Sequence, residues 1–312
     1  MANSRPALGR AITLVESQLP AHHRQARELL KALRPGRAHR VGVTGPPGAG
    51  KSSLIESLGL LAIQQGQRVA VLAIDPSSTH SGGSILGDKT RMERLSQHPD
   101  AFVRPSPTGG TLGGVARRTR ECISVLEAAG YTLVLVETVG VGQSEVSVAQ
   151  LVDTVLLVAL PGSGDELQGI KRGLMENADL VFVNKADGPG LPAARLAASQ
   201  ISQALRMLAP RIEGWTPAVE LGSAQTGEGL DRLWKQLEAH HAFLDTCQQL
   251  EARRSQQHLF WFEQGILDLL RERLYQSPAF KANLPAFREQ VRLGGLSPDE
   301  AGEKLLEAAG WL

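Results

Sequence analysis

Residues 41 to 56 read VGVTGPPGAGKSSLIE, and they set Lys51, Ser52 and Ser53 where an apolar run hands over to a helical pattern. From Gly45 to Ser52 the residues fit G-x-x-x-x-G-K-[ST]. In that motif the backbone N–H groups around Gly48 and Ala49 cradle phosphates, the lysine reaches the β and γ oxygens, and the serine hydroxyl ligates Mg²⁺. Ser53 completes the set of residues on the phosphate side. A side chain at Gly45 or Gly50 would keep the main chain away from the phosphate, and positive φ is cheap only for glycine. The flanks agree: Arg40 to Thr44 reads as a strand, and Ser53 to Ala62 puts Leu54, Leu58, Leu61 and Ala62 on one helical face.

Two further stretches say which nucleotide. Asn184-Lys185-Ala186-Asp187 follows the apolar run Leu180 to Val183, at a strand end where a base would sit. The Asp187 carboxylate can accept from N1–H and the 2-amino group of guanine, a pair that adenine lacks. Leaving it unpaired costs about 2 to 4 kcal/mol, so GTP is preferred. Ser223-Ala224, just past Ala218 to Leu221, would add a backbone N–H to guanine O6. On the metal side, Glu137-Thr138-Val139-Gly140 stands where small signalling GTPases have D-x-x-G. Glu137 would hold Mg²⁺ through water, and the Gly140 N–H would read the γ-phosphate. Val141 replaces the glutamine that orients water in Ras-like enzymes, so unaided hydrolysis should be slow. Asp75 and Asp88 could approach the same metal, with a helix cap or turn as their alternative role. GTP or GDP and Mg²⁺ are the expected cofactors.

The elements that must position these groups are short β-branched runs between helical stretches: Val41 to Thr44, Val69 to Ile74, Leu133 to Val136, Val155 to Leu160, Leu180 to Val183 and Ala218 to Leu221. Near-continuous apolar strands alternating with helices imply a doubly wound α/β fold with a mostly parallel sheet covered on both faces. Residues 8 to 34 read as two short helices broken at Pro20, anchored by Leu14, Leu29, Leu30 and Leu33. The expected division is an N-terminal helical extension (1–39), a P-loop domain (40–245) and a C-terminal helical arm (246–312). Eight of the thirteen aromatic residues lie from Phe243 onward, and Leu259, Phe262, Ile266, Leu269 and Leu270 recur at helical spacing. That apolar surface needs a partner, and a second copy of the chain is the expected one. Ser297-Pro298-Asp299-Glu300 is a capping box that starts the last helix, which Gly310 ends.

Composition narrows the classes. Among 312 residues, 33 Lys and Arg against 32 Asp and Glu leave a net charge of +1, so no global field recruits nucleic acid or an anionic membrane. Apolar runs such as Leu151 to Leu160 are about half a membrane span. Cys122 and Cys247 lie far apart without C-x-x-C spacing, which argues for a reducing, cytoplasmic setting rather than a disulfide framework. His22-His23 and His240-His241 are expected to diverge on helices and face solvent.

The segments AIDPSSTHSGGSILGDKTRM (73–92), VETVGVGQSE (136–145), PGSGDELQGIKRGLMENADL (161–180) and NKADG resemble the MeaB/ArgK family of P-loop GTPases, chaperones of adenosylcobalamin-dependent acyl-CoA mutases. The resemblance spans nearly the whole chain and weakens after about residue 245. It implies a homodimer joined through C-terminal helices and a nucleotide-gated complex with a mutase, most often methylmalonyl-CoA mutase. A cobalamin adenosyltransferase acting on the mutase is a further implied partner. Three switch segments would lie at 75–92, 137–146 and 161–173. The family's metal-proximal acids match Asp75, Asp88 and Glu137, and its third-switch charges match Asp165 and Lys171. Two alternatives fit less well. A nickel or zinc metallochaperone of the same fold would add a histidine-rich stretch or a Cys-x-Cys-Cys cluster, whereas the eight histidines here are scattered. A kinase of an amino-acid transport component would want a phosphoacceptor site, and none is recognisable.

Overall fold

The structure, a computed structural model, describes residues 4–17, 19–34, 36–74, 92–105, 112–138, 148–161, 172–209 and 211–312. Seven strands form one sheet with every pair parallel: β1 (His39–Thr44), β2 (Val69–Ile74), β3 (Ala101–Pro105), β4 (Leu133–Thr138), β5 (Thr154–Ala159), β6 (Leu180–Val183) and β7 (Ala218–Leu221). The spatial order is β3-β2-β4-β1-β5-β6-β7. Strand order reverses around central β1, which opens a crevice beyond the carboxyl ends of the strands there.

The helices are α1 (Arg5–Glu16), α2 (Pro20–Ala32), α3 (Lys51–Gln64), α4 (Glu93–Gln97), α5 (Leu112–Ala128), α6 (Arg172–Asn177), α7 (Leu191–Arg206), α8 (Leu230–Thr246), α9 (Gln249–Gln276), α10 (Pro278–Arg292) and α11 (Pro298–Ala308). Strand residues alternate between two apolar layers. Val41 and Val43 of β1, Leu156 and Val158 of β5, and Leu180 and Phe182 of β6 meet Leu54 and Leu58 of α3 and Leu233 and Leu237 of α8. On the other face Leu157, Ala159, Val181 and Val183 meet Leu174 of α6 and Ala194, Ala197 and Ile201 of α7. This double burial is why the strands read as continuous apolar runs.

Three expectations need correction. The edge strand β3 was not anticipated, because AFVRP carries an arginine and a proline; Ala101 is buried, while residues 102–104 are half-buried. Edge strands tolerate such residues since one side of the ladder goes unused. In α1 the buried anchors are Leu8, Ile12 and Val15, while Leu14 is half-buried; in α2 the buried residue is Ala26. His240 is fully buried rather than solvent-facing.

Its surroundings explain that burial. Asp153 and Asp179 immediately precede β5 and β6 at the amino end of the sheet, and both are buried. Arg254 of α9 forks onto Asp153, with Nε 2.9 Å from Oδ1 and Nη2 2.6 Å from Oδ2, and the Arg40 N–H donates to Oδ2 at 2.9 Å. Asp179 Oδ2 accepts from Val155 N–H at 2.8 Å, Arg211 Nη1 at 3.0 Å and Arg253 Nη2 at 3.2 Å. The Thr154 hydroxyl lies 2.7 Å from His39 Nε2 and 2.8 Å from His240 Nδ1. Burial by itself would raise the Asp153 pKa, but Arg254 more than reverses this and holds it below the usual carboxylate value. Burial pushes His240 down to about 4, against the opposing pull of Asp179.

The chain divides into two compact units, Met1–Gln257 and His258–Leu312, so the division falls inside α9, whereas the sequence places a boundary at 245/246. In the second unit α10 packs on α11, with Phe280, Ala301 and Leu305 buried. The Ser297 hydroxyl caps α11 by accepting from Glu300 N–H at 3.2 Å, and Gly310 adopts φ +72° just past its end. Glu300 bonds Lys304 at 2.7 Å, so only the serine half of the capping box is made. Along α9, Leu259, Phe262, Ile266, Leu269 and Leu270 are 60, 65, 43, 50 and 48% exposed. No helix among the described residues is long and apolar enough to cross a membrane.

A neutral, buried His240 makes stability pH-dependent. The unfolded histidine takes up a proton near pH 6.5, while the folded one does so only near 4. Stability should therefore fall as pH drops from 6.5 toward 4, by about 1.4 kcal/mol per pH unit for this group. Urea unfolding at successive pH values should show that slope, and His240→Gln should make it shallower. Equal slopes in the two proteins would refute the assignment.

Candidate nucleotide site

The loop between β1 and α3 runs over the carboxyl end of the central strand. Gly45 has φ +145°, and a Cβ built there would lie 2.2 Å from the Val158 carbonyl oxygen of β5; at Gly50, φ +81°, it would lie 2.5 Å from Asn184 Nδ2. Both positions therefore require glycine on conformational and steric grounds. Gly48, φ +77°, has open space around it. Ala49 is buried and Ser53 is exposed. The first turn of α3 carries no acidic residue of its own, so its N–H groups present the positive end of the helix to the loop.

Lys51 is buried, and its Nζ donates to the carbonyls of Gly45 at 2.8 Å and Pro46 at 3.0 Å. The ammonium is thereby held against the loop it serves. Ser52 Oγ donates to Glu137 Oε1 at 2.7 Å. The β1–β4 register sets this contact by placing Glu137 beside Val43. Ser52 and Glu137 thus offer adjoining hard oxygen donors, the type that Mg²⁺ takes. Asp75, Asp88, Gly140, Val141, Asp165 and Lys171 lie outside the described residues, as do most of the three expected switch segments.

The base-side groups come from two neighbouring strand ends. Asn184, buried after β6, donates through Nδ2 to the Ala49 carbonyl at 2.8 Å and accepts through Oδ1 from Ala224 N–H at 2.9 Å. Its amide spans the phosphate loop and the Ser-Ala loop, so its role here is to position both. Lys185 is exposed and holds φ +59°, a left-handed conformation that costs a non-glycine residue about 1 to 2 kcal/mol. Asp187 Oδ2 accepts from the Ser223 hydroxyl at 2.7 Å, and Ser223 Oγ accepts in turn from the N–H groups of Gln225 (3.2 Å) and Thr226 (3.3 Å). This chain of bonds orients a half-buried carboxylate that keeps a second oxygen for a ligand.

Sequence reasoning missed Ser57. Its hydroxyl donates to the Ala224 carbonyl at 2.7 Å and ties α3 to the Ser-Ala loop. The only signal available was its place one helical turn beyond Ser53. The Thr138 hydroxyl donates to Thr44 Oγ1 at 3.1 Å, joining the ends of β4 and β1. Among the described residues, Lys51, Ser52 and Glu137 form one cluster, and Asn184, Asp187, Ser223 and Ala224 form a second that Asn184 joins to the first.

Comparisons with known proteins agree with this geometry. The chain is 53% identical over 98% of its length, and 91% of the other protein's, to a protein of Mycobacterium tuberculosis described as a probable GTPase. It is 44% identical over 97% of its length, and 76% of the other's, to the mitochondrial methylmalonic aciduria type A homolog of Mus musculus. A crystal structure described as a LAO/AO transport system kinase superposes with a TM-score of 0.77 at 35% identity, covering 98% of this chain and 93% of that one. The family model described as methylmalonyl Co-A mutase-associated GTPase MeaB matches residues 8–279. A glycine loop lies against β5, a Ser52–Glu137 pair stands beside it and a carboxylate lies past the end of β6, and the chain that carries them belongs to the MeaB family of P-loop GTPases.

Proposed function

We propose that the chain binds GTP with Mg²⁺, hydrolyses it slowly alone, and uses the cycle to gate loading of adenosylcobalamin into an acyl-CoA mutase, methylmalonyl-CoA mutase being the first choice. The observation that carries the nucleotide part is the Asn184 brace, which fixes the base-side carboxylate Asp187 relative to the phosphate loop. The description of the matched family, extending over residues 8–279, supports the mutase as partner.

The residues divide the work as follows. The α3 N-terminus and the loop N–H groups bind phosphate, while Lys51 is placed for the β and γ oxygens. Ser52 and Glu137 would hold Mg²⁺, which supplies charge neutralisation on the phosphates. Asp187 discriminates guanine, with its second carboxylate oxygen directed by Ser223. Asp75 and Asp88 remain candidates near the metal, and Asp165 and Lys171 for coupling to the mutase.

Three experiments test this. Asp187→Asn should exchange a preference for GTP for one for xanthosine triphosphate, because the amide can donate to the xanthine 2-oxo group. Unchanged GTP affinity in a competition assay would remove Asp187 from the base contact. Lys51→Ala should abolish hydrolysis, and Ser52→Ala should raise the Mg²⁺ concentration needed for it. Phosphate release measured with and without methylmalonyl-CoA mutase should show stimulation in the wild type and none in Lys51→Ala; normal turnover in both variants at low Mg²⁺ would place the site elsewhere.

The third concerns assembly. The exposed α9 stripe needs cover, and a second copy is the simplest source of it. Replacing Phe262 and Ile266 by glutamate should give a monomer by sedimentation with an otherwise intact fold, since both are already exposed in the single chain. A wild-type protein that sediments as a monomer would reject the dimer.

A further inference from the structure

We propose that the unit of residues 1–257 carries a second ligand site, at the amino end of the sheet opposite the nucleotide loops, where Arg211 and Arg253 receive a small phosphate- or carboxylate-bearing anion. A cavity of about 470 Å³ lies there, lined by Arg211, Arg253, Asn177, Gln249 and Gln256 among others. That volume falls within the range of about 300 to 1,000 Å³ usual for small-molecule sites. The lining is rich in donors. Its one acidic side chain, Glu213, is exposed.

The two guanidinium groups share one carboxylate. Arg211 gives Nη1 to Asp179 Oδ2 at 3.0 Å and to the Asn177 carbonyl at 2.9 Å, and Nη2 to the Ala149 carbonyl at 3.2 Å. Arg253 gives Nη2 to the same Asp179 oxygen at 3.2 Å, while its buried Nη1 has no acceptor. A guanidinium offers five N–H donors, and a buried donor left unmatched is costly. The other Asp179 oxygen does not relieve this: it sits 3.8 Å from His240 Nε2, deep in the sheet end. Positive charge is thus crowded against a polar cavity. Burial, with Arg253 adding to it, lowers the Arg211 pKa to about 10 despite Asp179. An oxyanion in the cavity would supply acceptors to both arginines, with the glutamine amides completing its shell. This site is independent of the nucleotide loops, so its success or failure leaves the GTPase reading untouched.

Trp215 is a built-in reporter, since its Nε1–H donates to the Asp179 carbonyl at 2.9 Å. The test is a titration of the full chain, saturated with GDP and Mg²⁺ so that the phosphate loop is filled. Inorganic phosphate is added in one arm and succinate in the other, and the four tryptophan indole N–H resonances are followed by NMR. A saturable shift of Trp215 alone is expected, and the arm with the tighter midpoint identifies the anion class. Arg253→Gln should weaken that midpoint at least about tenfold, the loss of one charge-assisted bond. Gln256→Glu changes an exposed residue of the wall and should weaken it similarly by repulsion while melting as the wild type does. No saturation in either arm, parallel drift of all four indoles, or unaltered midpoints in both variants would overturn the proposal.

Discussion

The central strands β4, β5 and β6 are buried on both faces, so the charged groups they bring together must sit at their ends. That constraint organises the rest of the molecule. At the carboxyl ends the polar groups are held by bonds between neighbouring loops. At the amino ends Asp153 and Asp179 are held for arginines of the same chain, two of them adjacent on α9. A buried carboxylate that lost its arginine would cost about 3 to 5 kcal/mol. Conversely, the pairing fixes the first turns of α9 onto the starts of β5 and β6. Gln257 adds bonds to the Ala149 and Val152 carbonyls at 3.2 and 2.8 Å.

At the ligand end, order comes from side-chain amides and hydroxyls rather than from ion pairs. Asn184 holds the phosphate loop to the Ser-Ala loop, Ser57 holds the latter to α3, and Ser223 orients Asp187. Each bond is worth about 1 kcal/mol net. Together they fix two recognition elements relative to each other before the ligand arrives, which lowers the ordering cost of binding. The left-handed Lys185 lies in the same stretch, between the Asn184 brace and the Ser223-bonded Asp187.

The ligand end was the more legible in the sequence. Gly45, Gly50, Lys51 and Ser52 form a contiguous motif whose spacing is dictated by phosphate geometry, and six of the seven strands announced themselves by apolar runs. Asn184 was legible as part of a tetrapeptide, but its bracing role was not, since both partners lie far away in the chain. The amino end was opaque for the same reason. His240 looked like half of a solvent-facing pair because its partners, Thr154 and Asp179, come from other elements, and a polar residue on a helix is exposed by default. β3 escaped because its single paired edge leaves room for Arg104 and Pro105.

The sheet order also bears on how the chain is made. Of the seven strands of the sheet β1 is synthesised first, yet its neighbours are β4 and β5, so His39 waits for Leu133 and Val41 for Thr154. β2 and β3 are closer in sequence and can pair first, on the same flank. At ordinary translation rates the interval before β4 emerges is on the order of ten seconds. Throughout it the strand leading into the phosphate loop has no ladder partner, and its apolar side chains are open to other chains. The central position that later gives β1 a partner on each edge makes it, on the ribosome, the strand that waits longest for one.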